Sequence, residues 1–349
     1  MLAAQFAEAM ERVAAPWPGA VAVSGGGDSL ALMHLLADWA KKQRRDPPVV
    51  LTVDHKLQKR STTNARQVQK WAKDAGLKAR VLTWTGTKPR ADIEAEARQA
   101  RYRLMGAWCE AHGIAALYAG HTRDDQAETF LLRLARGSGL DGLAAMRPVA
   151  GFPVEKFKGL QLVRPLIDLE RDVLRAHLTA RGQPWIEDPM NSDPQFSRVR
   201  IRAAMGSLQA AGLTTARIAD AAAHLGRARE ALDIVTAAVL RRACRTEGNA
   251  ILVEAGALAT TPREVGLRAL ARLLMGVSGQ AYRPRFERLE RLFEAIASGS
   301  LGKGRTLHGC RISPAPGSKA FFGTDTLIIA PEMARSVPKS LKMARSDTK

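Results

Sequence analysis

The sequence predicts an α/β fold, a parallel twisted sheet with helices on both faces, followed by a helical domain and a small β-containing C-terminal unit. Three observations carry this reading. Short apolar or β-branched runs alternate with helical runs through the first part of the chain, the pattern of a mostly parallel sheet covered on both sides. Most of those helical runs stop at a glycine, at Gly76, Gly113, Gly137 and Gly182, as helices that end in a left-handed residue do. After Arg202 the alternation ceases, and β-like runs return clearly only in the glycine-rich stretch 299–331.

Taken in order, Ala20–Val23 is a short apolar run ending in a glycine turn, and Leu30–Trp39 has helical spacing. Val49–Val53 is a β-branched run, Ala65–Ala75 a helix, and Val81–Trp84 a third strand. Ala91–His112 reads as a long helix rich in Ala, Glu and Arg, and Ile114–Ala119 as the fourth strand. Asp124–Arg136 is a helix, Leu162–Leu166 a short strand and Glu170–Arg181 a helix. Long helical stretches follow at Ala216–Cys244 and Pro262–Met275, with one strand candidate at Ala250–Val253. Thr306–Ile312 and Thr326–Ile329 are β-like and suit a small hairpin unit, and Pro331–Lys349 is polar and basic. The expected divisions are a catalytic domain at 1–207, a helical domain at 208–298, a small β unit at 299–332 and a basic tail at 333–349.

Hydrophobic residues make up 46% of the 349, enough for a sizeable core and against disorder of the whole chain. No apolar run is long enough to span a bilayer, and Glu8 and Glu11 interrupt a start that lacks the basic region of a signal peptide. Cys109, Cys244 and Cys310 are odd in number and far apart, without a CxxC, which points to packing roles in a reducing compartment and so to the cytoplasm. The net charge is +19; residues 1–210 hold 31 Lys and Arg against 22 Asp and Glu, and 211–349 hold 22 against 12. A positive excess spread over the whole chain favours a polyanionic partner.

The sharpest signal is Ser24-Gly25-Gly26-Gly27-Asp28-Ser29, between a strand end and a helix start. Consecutive glycines let backbone N–H groups converge on an anion, and the helix N-terminus adds its partial positive charge. Ser24 and Ser29 add hydroxyl donors. Asp28, a carboxylate beside a phosphate site, makes sense with a Mg²⁺ between them. The loop is neither a Walker loop nor a GxGxxG loop.

Asp54 and His55 end the second strand, at the sheet edge where open α/β folds bind ligands, beside the first loop and where a nucleoside can lie. A second constellation, Gly120 to Thr129, opens the helix after the fourth strand. Asp124 and Glu128 are four apart and share a helix face, with Asp125 in the next row. Acids at a helix start complement its dipole; together with His121 at the same sheet edge they form a candidate metal and proton-transfer site. Arg98 and Arg101, on the preceding long helix, are candidates for phosphate or base contacts as well as for ordinary helix ion pairs.

The loop SGGGDS (24–29) resembles that of the N-type ATP pyrophosphatases, or PP-loop proteins, which cleave ATP between the α and β phosphates and adenylate a substrate oxygen. With VDH (53–55), EAEARQARY (94–102), GHTRDDQAETFLLRLARGSGLDGLAAM (120–146), RPL (164–166) and WIEDPMNSDPQFSRVRIR (185–202), the order of motifs is similar to that of the tRNA(Ile)-lysidine synthetases. The last two long blocks are more specific than the glycine loop. The resemblance implies that ATP adenylates O2 of the wobble cytidine in the CAU anticodon of tRNA(Ile), releasing pyrophosphate, and that the ε-amine of free lysine then attacks C2 and releases AMP.

It further implies that Ser24, Gly25, Gly26, Gly27 and Ser29 hold the ATP phosphates, with Asp28 and Asp125 on Mg²⁺. His121, Asp124 and Glu128 form the cytidine and lysine pocket, and Arg136, Arg198, Arg200 and Arg202 meet tRNA. The chain departs from the pattern after VDH, where Lys56-Leu57-Gln58-Lys59-Arg60 replaces a short Gly-Leu-Arg, and its C-terminal half matches weakly. The alternatives are another adenylating tRNA-modifying enzyme, such as a thiolase, and a basic RNA-binding module without catalysis. The first wants cysteines near the sheet-edge motifs, and the second leaves the glycine loop and acid cluster without a purpose.

Overall fold

The structure, a computed structural model, describes residues 1–88, 92–187, 193, 195–280 and 282–332. The basic tail and the middle of the block at 185–202 lie outside the described residues. Two compact units divide the chain, Met1–Arg227 and Ala228–Lys349.

The first unit runs α1 (Leu2–Val13), β1 (Ala20–Ala22), α2 (Gly27–Lys42), β2 (Val49–Asp54), α3 (Ser61–Asp74), β3 (Ala79–Thr83), α4 (Ile93–Ala111), β4 (Ala116–Ala119), α5 (Arg123–Leu134), α6 (Leu140–Leu143), β5 (Val149–Gly151), β6 (Gln161–Val163), α7 (Arg171–Ala180) and α8 (Ser197–Ala210). Its six-stranded sheet has the order β3-β2-β1-β4-β6-β5. All pairs are parallel except β5 with β6. The expected strands and helices of the first 182 residues are therefore present, with ends shifted by a few residues. The antiparallel edge strand β5 is an addition that three residues of Val, Ala and Gly give no periodicity to reveal.

Chain direction explains the layers. From β1 the chain steps to β2 and then β3 through right-handed crossovers, which put α2 and α3 on one face. It then returns across the sheet to β4, so α4 lies on the other. Alternate strand residues follow suit. Val21, Val50, Tyr118 and Val163 pack with Phe6, Leu36, Val68 and Leu174. Ala20, Leu51, Leu117 and Leu162 pack with Tyr102, Met105 and Cys109 of α4. Both faces of β1 and β4 are buried, which is why neither strand shows an alternation of polar and apolar residues. Strand order reverses between β1 and β4, and a reversal of this kind opens a crevice at the C-terminal strand ends.

α9 (Thr215–Ala243) spans the division between the units. The second unit continues with β7 (Cys244–Glu247), β8 (Ala250–Glu254), α10 (Ala255–Ala259), α11 (Arg263–Ser278), α12 (Phe286–Ala297), β9 (Arg305–Leu307), β10 (Cys310–Pro314) and β11 (Thr326–Pro331). These strands form an antiparallel sheet of order β7-β8-β11-β10-β9. The single β-like run at Thr306–Ile312 is in fact two strands, because His308 and Gly309 both take positive φ and reverse the chain. Helical segment and β unit share one core, in which Leu270, Leu274 and Phe293 pack against Val253, Ile312 and Ile329.

Candidate active site

The glycine loop closes the crevice at β1. Gly25 has φ +96°, a conformation that side chains with a Cβ rarely adopt, and a Cβ there would stand 2.7 Å from Ile186 Cδ1. The Ile186 N–H donates to the Gly25 carbonyl at 2.9 Å, so the Trp185-Ile186 segment buttresses the loop. Ser29 Oγ donates to the Gly26 carbonyl at 2.9 Å and accepts the Ser24 N–H at 3.2 Å. Gly26 is the N-cap of α2, with an extended backbone, and Asp28 stands in the first turn. The free N–H groups of that turn and the dipole suit an anion.

The start of α5 lies against this loop. At Gly120 a Cβ would be 2.9 Å from the Asp28 carbonyl oxygen and 3.0 Å from Ser29 Cα. Thr122 caps α5 in a capping box with Asp125, whose Oδ2 accepts the Thr122 N–H at 2.9 Å. This fixes Asp124, Asp125 and Glu128 next to Asp28.

At their centre sits Arg171, the first residue of α7. Its Nε donates to Asp28 Oδ2 at 3.0 Å, its Nη2 to Asp125 Oδ1 at 3.3 Å and its Nη1 to Glu128 Oε1 at 3.2 Å. Its backbone N–H donates to Asp124 Oδ2 at 2.8 Å. Arg202 forks over the Glu128 carboxylate at 2.7 and 3.1 Å. Burial pushes the Asp28 carboxyl above the usual range, with Arg171 opposing and Asp125 reinforcing. For Arg171 itself burial works against the charge, but the surrounding carboxylates raise its guanidinium above the ordinary value.

His121 directly precedes the N-cap of α5, and among the described residues its buried Nδ1 has no hydrogen-bond partner. Burial, then the nearby Arg164, Arg98, Arg198 and Arg101, push it down to about 3. It is neutral at pH 7 and a weak proton acceptor there. The unfolded chain, with a value near 6.5, takes up this proton first as pH falls. The stability is therefore complete above about pH 6.5 and is lost between there and about pH 3, on the order of a few kcal/mol at the acid end. Urea unfolding of His121→Gln against pH should show a flatter dependence across that window than the parent chain.

The other expected site residues divide. Arg98 and Arg101 of α4 and Arg198 of α8 come close enough to His121 to act on it electrostatically, and Arg98 also lies 5.3 Å over the Tyr102 ring. Arg202 joins the acid cluster through Glu128. Arg136 is exposed just beyond α5, and Arg200 donates to the Gln195 carbonyl and to Ser197 Oγ at the start of its own helix. The Asp54 carboxylate is engaged in its own loop, accepting Ser61 Oγ at 2.6 Å, Thr62 Oγ1 at 2.7 Å and the Lys56 N–H at 3.2 Å. Against its burial, those bonds hold it below the usual carboxylate range. His55 Nδ1 accepts the Leu57 N–H at 3.1 Å in the same loop.

Arg171 was not among the expected residues. One signal marks it in the sequence: a cation in the first turn of a helix runs against the dipole, so a compensating anion must lie nearby.

Among the described residues no group of three His, Cys, Asp or Glu side chains is arranged to hold a metal alone. Asp28 nevertheless fits Mg²⁺. Among the described residues its buried Oδ1 has no partner, and Mg²⁺ in such sites takes one or two carboxylates and completes its shell with phosphates and water. Asp125 fits less directly, since both its oxygens already accept hydrogen bonds. The three cysteines are free thiols. Cys109 and Cys310 lie in the cores, and burial pushes the Cys109 thiol up to about 12, out of reach of sulfur chemistry at neutral pH.

Comparison with known proteins agrees with this geometry. The family model of the PP-loop domain matches residues 3–208. The chain is 41% identical over 338 residues to a tRNA(Ile)-lysidine synthase of Methylobacterium nodulans, covering 90% of this chain and 96% of that one. It is 38% identical over 300 residues to the enzyme of that name from Ruegeria pomeroyi, covering 83% of this chain and 70% of that one. Among solved structures, the U34-tRNA thiolase NcsA from Methanococcus maripaludis superposes with a TM-score of 0.50 at 16% identity, over 66% of this chain and 76% of that one, a likeness of fold. A glycine loop and an acid cluster joined at one sheet edge, in a chain so close to these relatives over most of its length, place it among the PP-loop proteins, in the family of the tRNA(Ile)-lysidine synthases.

Proposed function

We propose that the chain adenylates O2 of the wobble cytidine in the CAU anticodon of tRNA(Ile) and then joins free L-lysine to C2 through its ε-amine. The observation that carries this is the meeting of Asp28 of the glycine loop with Asp125 and Glu128 of α5 around one guanidinium. Phosphate chemistry and amine chemistry then share a single site. Cytidine O2 attacks the α-phosphorus and pyrophosphate leaves. The ε-nitrogen attacks C2, the C2–O2 bond breaks and AMP leaves with that oxygen.

Gly25, Gly26, Gly27, Ser24 and Ser29 cradle the phosphates through the α2 N-terminus. Mg²⁺, held by Asp28 with a lesser share from Asp125, would supply charge neutralisation for the departing pyrophosphate. The carboxylates of Asp28, Asp125 and Glu128 meet the Arg171 guanidinium, Glu128 also meets Arg202, and Asp124 accepts the Arg171 backbone N–H; this acid face draws the lysine ammonium. One of those carboxylates accepts the ammonium proton. His121 is too weakly basic for that and serves as a neutral hydrogen-bond partner of the base. Arg98, Arg101 and Arg198 offer the positive wall for the nucleotide phosphates, and Arg136 and Arg200 are left for the outer tRNA backbone. His55, at the end of β2, borders the nucleoside. No helix among the described residues is long and apolar enough to cross a membrane, and the cytoplasm, where ATP and tRNA meet, is the compartment we propose.

Labelled lysine should enter tRNA(Ile) with a CAU anticodon in the presence of ATP and Mg²⁺, and not the methionine tRNA with the same anticodon. Pyrophosphate release without lysine incorporation would keep adenylation and remove lysine as the nucleophile.

A further inference from the structure

Arg171 holds a position that charge balance alone does not explain. An arginine that pairs with a carboxylate is frequently bidentate on that one group, as Arg202 is with Glu128. Arg171 instead spreads its three nitrogens over three carboxylates on two elements, Asp28 on α2 and Asp125 and Glu128 on α5. Its side chain is 16% exposed, so the arrangement is sheltered from water. The site it holds together still has an open acceptor, because among the described residues Asp28 Oδ1 receives no hydrogen bond. Among the described residues Arg202 bonds to Glu128 and to no residue of the glycine loop, so the link between the two elements runs through Arg171.

We infer that Arg171 is a positioning residue, the strut that fixes the acid face of α5 relative to the glycine loop and so sets the register between the adenylated base and the attacking amine. This rests on the lysidine synthase reading above. The planar fork is what lets one side chain span three acceptors in a fixed geometry; a lysine ammonium carries three donors on one compact centre at the end of a flexible stem and does not reproduce that span. The backbone N–H of Arg171 on Asp124 fixes the strut at its base. Removal of the strut leaves the phosphate cradle and all four acids in place, so binding is largely kept, but the halves of the site lose their alignment. A displacement of about an ångström at reacting atoms costs on the order of a hundredfold in rate.

The test uses Arg171→Ala, Arg171→Gln and Arg171→Lys in the full chain. It reads labelled-lysine incorporation, tRNA-dependent pyrophosphate release, ATP binding by equilibrium dialysis without tRNA, and the thermal midpoint. We expect kcat for lysine incorporation to fall about a hundredfold in Arg171→Gln, with the ATP dissociation constant and the KM for lysine within about fivefold of the parent, and Arg171→Lys to stay within about tenfold of Arg171→Gln. Ethylguanidinium added to Arg171→Ala should restore part of the rate. The inference is overturned if kcat is unchanged, if the loss lies wholly in ATP or lysine affinity, or if Arg171→Lys is fully active. It is also overturned if every variant loses its thermal transition and added guanidinium restores nothing, which would make Arg171 a folding residue. If the parent chain itself incorporates no lysine, the functional reading fails first and the inference falls with it.

Discussion

Asp28→Asn should lower ATP-dependent pyrophosphate release by about a thousandfold, the loss expected when several kcal/mol of metal-assisted charge stabilisation is withdrawn. The fold should survive. Asn keeps the shape of the side chain and an oxygen to accept the Arg171 Nε–H that Asp28 Oδ2 now accepts at 3.0 Å. The ionised carboxylate is itself costly where it stands, since burial already pushes its proton affinity up. Removing that charge offsets the weaker bond to Arg171, so the unfolding free energy should change by no more than about 1 kcal/mol. Pyrophosphate release measured beside urea unfolding checks both parts. Turnover near the parent's would remove Asp28 from the metal site, and an unfolded variant would make it a structural residue.

Gly120→Ala should reduce the rate of adenylation on the order of a hundredfold while leaving the far-ultraviolet circular dichroism unchanged. The new methyl would meet the Asp28 carbonyl oxygen at 2.9 Å and Ser29 Cα at 3.0 Å. Both are backbone atoms, and neither swings aside as a side chain would. The loop after β4 and the first turn of α2 must therefore separate by a few tenths of an ångström or more, and the separation opens between the phosphate cradle and the acids of α5. A variant that keeps its pyrophosphate release would show that the two elements move together.

Much of this site was legible because its parts are local. Gly25 announces its positive φ by being glycine within a run of three, and Thr122 with Asp125 forms a capping box readable from spacing. The acids Asp124, Asp125 and Glu128 lie within five consecutive residues, so their shared face follows from helix geometry. Arg171 was missed because its partner Asp28 lies 143 positions away, and no local rule joins them. Arg202 was read as a tRNA contact, and its bond to Glu128, 74 positions back, is likewise beyond any local rule. Asp54 shows the opposite limit. Its place at a strand end suggested a ligand; its bonds to Ser61 and Thr62, at the start of α3, were not read from the sequence. In the second unit the sheet draws strands from both sides of three helices, and short strands such as β7 carry no alternation to betray them.

The reversal of strand order between β1 and β4 also bears on how the enzyme comes into being. A chain made from its N-terminus exposes the phosphate cradle first, while Glu128, Arg171 and Arg202 are still to be synthesised. β2 and β3 can pair beside β1 at once, but its other edge stays open until β4 arrives and docks there. Until that edge is filled, the glycine loop lacks both the packing of Gly120 against Asp28 and Ser29 and the Ile186 N–H on the Gly25 carbonyl. The two halves of the site are thus assembled together, late in the chain, when the strands and helices that follow β3 close on the first loop.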